Sequence, residues 1–271
     1  MSTLPRMTIL HHMSMPVLLR KLTDRLLPGC CALCGGNGPG PICTSCRNSL
    51  MPATAAAHAC GDRCERCAIS LPSTAPTTCA TCSHDPPAYD RTLALADYAP
   101  PLDGLLQDLK FRAHLPLAAA FGDLLAQAAL AHAVLAHEAQ AQRLGAQNHS
   151  AYEIVLLPVP LSRERLKERG FNQAQEIARP LARALQLKIA TGICARIRHT
   201  EAQATLPANE RQVNMRGAFA VLQRQAVFGK TIWVIDDVMT TGHTLAALAA
   251  CLKRNGAAHV TNLVIARTPA R

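Results

Sequence analysis

The sequence predicts an α/β protein, with a mostly parallel sheet flanked by helices and a small metal-ordered module ahead of it. Three observations carry that prediction. From residue 154 onward, short apolar runs alternate with helix-like stretches, the pattern of parallel strands joined by helical crossovers. One such run, 231–235, passes through two adjacent acids into a Thr-Thr-Gly turn and then a helix. Eight of the 12 cysteines fall into four Cys-x-x-Cys pairs in the first third of the chain.

A length of 271 residues accommodates one ordinary α/β domain and a smaller unit. The boundaries read as a tail and short helix over 1–29, a metal module over 30–90, a helical connecting segment over 91–150 and the main domain over 151–271. Aromatic residues make up only 3%, so the core is expected to be aliphatic. The net charge of +10 favours an anionic partner, such as a phosphate, a nucleotide or a nucleic-acid backbone, without selecting among them. No stretch of roughly 18 uncharged apolar residues occurs, and Arg20, Lys21, Asp24 and Arg25 interrupt the place where a signal peptide needs its apolar centre. Membrane insertion is therefore excluded, and a cytoplasmic location is expected.

Residues 1–14 read as unstructured, and Leu18, Leu22 and Leu26 share one helix face in the segment that follows. Residues 30–83 are rich in Cys, Gly, Pro and Thr and have little periodicity, as expected of a segment ordered by ions instead of a core. Cys31, Cys34, Cys43 and Cys46 form one group with eight residues between its pairs. Cys64, Cys67, Cys79 and Cys82 form another with eleven. Each group suits one tetrahedral Zn²⁺ held by four thiolates, giving a double zinc ribbon with one or two structural ions. An interleaved pairing, with the first and third pairs sharing an ion, stays open. So does a one-position slip that brings in Cys30 or Cys60, whereas Cys194 and Cys251 read as small apolar side chains.

From about 92 to 147 the sequence reads as helical, ending in an Ala-, Gln- and His-rich tail. EIVLLPVP, starting at Glu153, is a short buried strand halted by prolines. Between residues 158 and 216, eleven Lys and Arg face five acids. Arg163, Arg165, Lys167 and Arg169 are the candidate pyrophosphate ligands, because Pro158 and Pro160 supply no amide donors. The same segment also reads as a helical turn whose charges pair with Glu164 and Glu168. Gly170 ends that turn, Asn172 caps the next helix, and Pro180 is expected to kink or restart it. A polar stretch at 196–216, strands at 217–222 and 231–235, a helix at 243–254 closed by Asn255-Gly256, and a strand at 259–265 complete the chain.

The candidate site is the handover from strand 231–235 to the following helix, comprising Asp236, Asp237, Val238, Met239, Thr240, Thr241, Gly242, His243 and Thr244. At the carboxyl edge of a parallel sheet, this loop faces the crevice where such sheets bind ligands. Unsatisfied N–H groups at the helix start suit a phosphate. Gly242 allows close backbone approach, and the threonines add hydroxyl donors. Two acceptor-only carboxylates suit a vicinal diol, with Mg²⁺ offsetting the charge of a pyrophosphate. Gly229-Lys230-Thr231 imitates the end of a P-loop, but Arg224 stands where the first glycine is required.

VIDDVMTTGHT resembles the phosphoribosyl-pyrophosphate motif of type I phosphoribosyltransferases. PVPLSRERLKERGFNQAQEIA, LKFRAHLPLA, RHTEAQATLPANERQVNMRGAF and the four leading cysteine pairs are similar to the ComF family, whose members include competence proteins and the GntX-like proteins. The resemblance runs from about residue 16 onward. It implies a type I phosphoribosyltransferase fold, phosphoribosyl pyrophosphate or a related sugar phosphate bound with Mg²⁺, and a pyrophosphate loop after the first core strand. It also implies single-stranded DNA and a competence helicase as partners, in natural transformation or nucleotide metabolism. Three functions stand open: a transferase acting on an unidentified base, a DNA-handling factor that reuses the pocket, and a sensor that binds the sugar phosphate without turnover. No residue stands out as a general base.

Overall fold

The computed structural model describes residues 29–38, 40–50, 63–72, 74, 76–144, 154–197 and 217–270, with the backbone alone for 133–144. The helix read at 17–27, Cys60 and most of the polar stretch at 196–216 lie outside the described residues.

Five strands form one sheet: β3 (Arg91–Asp97), β4 (Ile154–Pro158), β5 (Lys188–Ile189), β8 (Thr231–Met239) and β9 (His259–Arg267). Their order across the sheet is β3-β9-β8-β4-β5, and every neighbouring pair is parallel. Parallel strands need crossovers, which the helices supply. They are α3 (Leu102–Phe111), α4 (Pro116–Leu144), α5 (Arg163–Arg169), α6 (Gln173–Leu185) and α7 (His243–Arg254). A separate antiparallel ribbon pairs β6 (Cys194–Arg196) with β7 (Phe219–Val221). The stretch read as helical from residue 92 begins instead with strand β3. Its alternation of half-buried and buried residues, and its pairing with β9, follow from Thr92, Leu93 and Leu95 lying at a sheet edge, where β-branched and large apolar side chains fit a pleated surface.

Strand alternation divides the core in two. Leu156, Ile235, Leu263 and Ile265 face α3, α4 and α6, which present Leu106, Leu109, Phe121, Ile177 and Leu181. Leu157, Ile232, Val234, Val260 and Val264 face α7, with its Leu245, Leu248 and Leu252, and the β6–β7 ribbon. The cysteine module is not separate from this core. Cys31 and Ile42 of its first half pack into the first layer, and Cys64, Cys67 and Cys82 of its second half pack into the other. Its secondary structure is slight: the β1 (Gly29–Cys30) and β2 (Asn37–Gly38) pair, α1 (Thr44–Leu50) and α2 (Ala80–His84).

Pro180 does not restart its helix, because α6 runs unbroken from Gln173 to Leu185. The ring is accommodated where α4 crosses at Gly122. A Cβ on Gly122 would stand 2.3 Å from Pro180 Cγ and 2.6 Å from the Ile177 carbonyl oxygen. Since the obstacle includes backbone, Gly122→Ala is expected to destabilise the fold by about 3 kcal/mol, at the upper end for overpacking. Urea denaturation should show the midpoint falling with little change in slope.

Candidate functional site

Strand β8 was expected to stop at Ile235, but it continues to Met239, so Asp236 and Asp237 lie within it and only Thr240–Gly242 form the turn. The reason is the length of its neighbour. β9 runs to Arg267 and pairs Asp236 with Val264, Val238 with Ala266 and Met239 with Arg267. Each carboxylate also turns back on the chain: Asp237 N–H donates to Asp236 Oδ1 at 3.0 Å, and Val238 N–H donates to Asp237 Oδ1 at 2.9 Å. That leaves one oxygen of each acid for other partners.

Helix α7 opens after Gly242, which has φ 81° and provides no side-chain cap. A glycine at the N-cap has no side-chain oxygen to offer the first N–H groups of the helix, and such a helix start suits an anion. A Cβ on Gly242 would lie 2.6 Å from Met239 Cε and 3.2 Å from Tyr89 Oη, so the left-handed turn and the close fit both require glycine. Thr240 and Thr241 are exposed, and His243 and Thr244 are half-buried. Val238 is half-buried and Met239 buried, which makes Met239 a packing residue.

Four cations from three elements act on Asp236: Lys110 from the end of α3, Arg196 from β6, and Arg169 and Arg165 from α5. Burial outweighs them and pushes the Asp236 carboxyl up to about 6. Lys110 Nζ lies 2.6 Å from Asp237 Oδ2, an ion pair that is poorly angled for a hydrogen bond. That buried oxygen therefore retains accepting capacity. Burial, with the charges of Arg169 and Arg165, brings Lys110 down to about 8 against the pull of Asp236, so it stays mostly protonated at neutral pH.

The basic segment is the helix α5. Ser162 caps it by accepting from Arg165 N–H at 3.3 Å, and Gly170 closes it in the left-handed conformation. One turn apart, Arg165 and Arg169 are half-buried and act on Asp236, whereas Arg163 and Lys167 are exposed and are not among the charges acting on it. Arg169 is braced by donating to Gln173 Oε1 at 2.5 Å. Asn172 caps α6 by accepting from Ala174 and Gln175 N–H.

The cysteines group as pairs one with two and three with four, not interleaved. In each group the four sulfurs lie within 4.8 Å of one another. Cys34 and Cys43 Sγ are 3.8 Å apart, and Cys67 and Cys79 Sγ are 3.7 Å apart. A tetrahedron with Zn–S bonds of about 2.3 Å has edges of about 3.8 Å, so the geometry fits structural zinc. Cys43 N–H donates to Cys31 Sγ and Cys79 N–H to Cys64 Sγ, both at 3.3 Å. Burial opposes ionisation of Cys31, but N–H groups of Cys43, Cys34 and Leu33 outweigh it and lower its pKa to about 6. Cys30 stands outside the group, exposed, with its thiol donating to Gly35 O.

The second group is tied to the turn after β8. Arg267, buried at the end of β9, donates from Nε to Cys67 O at 2.8 Å and from Nη1 to Met239 O at 3.2 Å, to Thr240 O and to Thr268 O. One guanidinium thus links a cysteine knuckle to the turn after β8.

No family model matches the chain. Over 248 residues it is 33% identical to the DNA utilization protein YhgH of Escherichia coli O6:H1, covering 89% of this chain and 98% of that protein. Competence protein F of Haemophilus influenzae is 26% identical over 242 residues, 88% of this chain and 96% of its own. The chain belongs to the ComF family. Competence protein ComFC of Bacillus subtilis is 36% identical over 116 residues, which is 42% of this chain and 45% of that one.

In this ComF-family chain, sequence reasoning alone misses Lys110, Arg196 and Arg267 as parts of the site. Lys110 lies in the family-like segment LKFRAHLPLA, but nothing in its spacing assigned it to the acid pair. Arg267 was visible as a lone charge closing the apolar run VTNLVIA. Arg196 belongs to the basic stretch, and nothing in its spacing separates it from its neighbours.

Proposed function

We propose that this protein binds phosphoribosyl pyrophosphate, with Mg²⁺, in the crevice at the end of β8, and that it uses this site in handling imported single-stranded DNA or in nucleotide metabolism. The observation that supports the reading is the convergence of Lys110, Arg165, Arg169 and Arg196 on an acid in the strand that leads into a Thr-Thr-Gly turn and a helix with glycine at its N-cap. In this reading the diol hydroxyls donate to Asp236 and Asp237, the 5-phosphate takes the N–H groups opening α7, and the pyrophosphate takes the four cations. Mg²⁺ supplies further charge neutralisation for the pyrophosphate. Catalysis, where it occurs, is positional and electrostatic. The DNA side of the proposal is supported by the names of the relatives, one for DNA utilization and one for competence.

Calorimetry with phosphoribosyl pyrophosphate, with and without Mg²⁺, tests the proposal. Saturable binding strengthened by Mg²⁺ is expected, and its absence would overturn the reading. A base screen then separates transferase from sensor by the appearance of product. The pH dependence has a definite sign. Between about pH 4 and 6 the folded state holds a proton on Asp236 that the unfolded chain has released, so the stability contributed by this group falls as pH rises through that window. Ligand binding needs the carboxylate and runs the other way, so the Mg²⁺-dependent affinity should drop about tenfold per unit below pH 6.

A further inference from the structure

Aromatic residues are only 3% of this chain, yet Phe111 has 75% of its surface exposed. Its helix does not need it for packing, because Leu102, Leu105, Leu106 and Leu109 form the buried stripe of α3 and Phe111 lies off it. One contact of the ring, together with the placement of the residue before it, puts Phe111 beside the charges around the acid pair. The preceding residue, Lys110, puts its ammonium 2.6 Å from Asp237 Oδ2. The guanidinium of Arg169, whose charge acts on Asp236, sits 5.7 Å from the Phe111 ring centroid. An exposed ring with a cation on it, beside the acids and cations proposed above to hold a sugar phosphate, has the makings of a base-stacking platform.

We propose that Phe111 stacks a nucleobase whose own sugar phosphate occupies the crevice, so that the site takes a nucleotide and not a bare sugar phosphate alone. The proposal rests on the sugar-phosphate reading above and adds a specificity residue to it. A base has a π-face whatever its identity, so stacking on Phe111 tolerates all four bases. The shared chemistry is a nucleotide, either free or within a single strand. Arg169 has a double role: its charge faces the phosphate end and its plane steadies the ring.

The test compares ribose 5-phosphate, uridine 5′-monophosphate, which carries the same ribose diol, and a 5′-phosphorylated tetrauridylate on the wild type, Phe111→Ala and Phe111→Trp. On the wild type the mononucleotide should bind about tenfold more tightly than ribose 5-phosphate, the advantage of one stacked ring. Phe111→Ala should lose that advantage while keeping its ribose 5-phosphate affinity, which also reports that the fold is intact. Phe111→Trp should keep the advantage and show fluorescence quenching by the nucleotide, beyond any change from Trp233 in the wild type, with none from ribose 5-phosphate. Tetrauridylate binding more tightly than the mononucleotide marks a strand as the source, equal or weaker binding marks the free nucleotide, and either supports the platform provided Phe111→Ala removes the advantage. If ribose 5-phosphate binds but the base adds nothing, or Phe111→Ala leaves the advantage intact, the stacking proposal fails and the sugar-phosphate reading survives. If neither ribose 5-phosphate nor phosphoribosyl pyrophosphate binds the wild type, the reading beneath it fails.

Discussion

Asp236→Asn is expected to weaken Mg²⁺-dependent binding of phosphoribosyl pyrophosphate about 100-fold, because two charge-assisted hydrogen bonds of about 1.5 kcal/mol each are lost. The same change should leave the fold as stable as before or slightly more so. Burial already pushes this carboxyl up to about 6, so at neutral pH its ionised form is a net cost to the fold. Asp237→Asn should behave differently, although the two acids are adjacent. Its carboxylate is 5% exposed and pairs with Lys110, itself 21% exposed, so the exchange strands a mostly buried ammonium. A loss of about 1–3 kcal/mol of stability is expected, the lower figure applying where Lys110 sheds its proton. Calorimetry and urea denaturation on both variants separate the effects. Unchanged binding in Asp236→Asn would remove the acid from the site.

The two exchanges differ because of what surrounds each acid, and that is also where legibility from sequence ends. The apolar run into Asp-Asp, the Thr-Thr-Gly turn and the helix after it were readable because strand, turn and helix start are local, and each leaves its mark within a few residues. The four cysteine pairs were readable for the same reason, but which pairs share a cluster needed three dimensions to decide. The length of β8 was not readable, since it is set by β9, which lies across the sheet in sequence order 259–267. Nor was the division within α5. Its four basic residues look equivalent in sequence, and only packing turns Arg165 and Arg169 inward and leaves Arg163 and Lys167 exposed. Lys110 reaches the site from a helix more than a hundred residues earlier. Its companion Phe111 reads as one more apolar position, because local spacing does not report exposure.

Loss of the metal from the second cysteine group is expected to abolish ligand binding, whereas loss from the first is not, although both groups offer the same four thiolates. The asymmetry follows from Arg267. Its guanidinium holds the Cys67 carbonyl on one side and the Met239 and Thr240 carbonyls on the other, and Tyr89 Oη packs under Gly242. A structural zinc contributes folding free energy outright, so without it the Cys67 knuckle gives way and the turn loses its buttress. The first group packs against the α3, α4 and α6 layer, on the other side of the sheet from Arg267's contact with Cys67. Cys64→Ser and Cys46→Ser should each remove one equivalent of zinc by atomic absorption. Only Cys64→Ser should also lower the affinity for phosphoribosyl pyrophosphate, by at least about tenfold. Arg267→Lys completes the comparison, because a lysine cannot reproduce the planar fork that serves four carbonyls. Leaving buried carbonyls unsatisfied costs about 1–3 kcal/mol each, so this variant should keep both zinc equivalents yet lose affinity as Cys64→Ser does. Retention of full affinity by Arg267→Lys would show that the turn holds its shape without the cysteine knuckle.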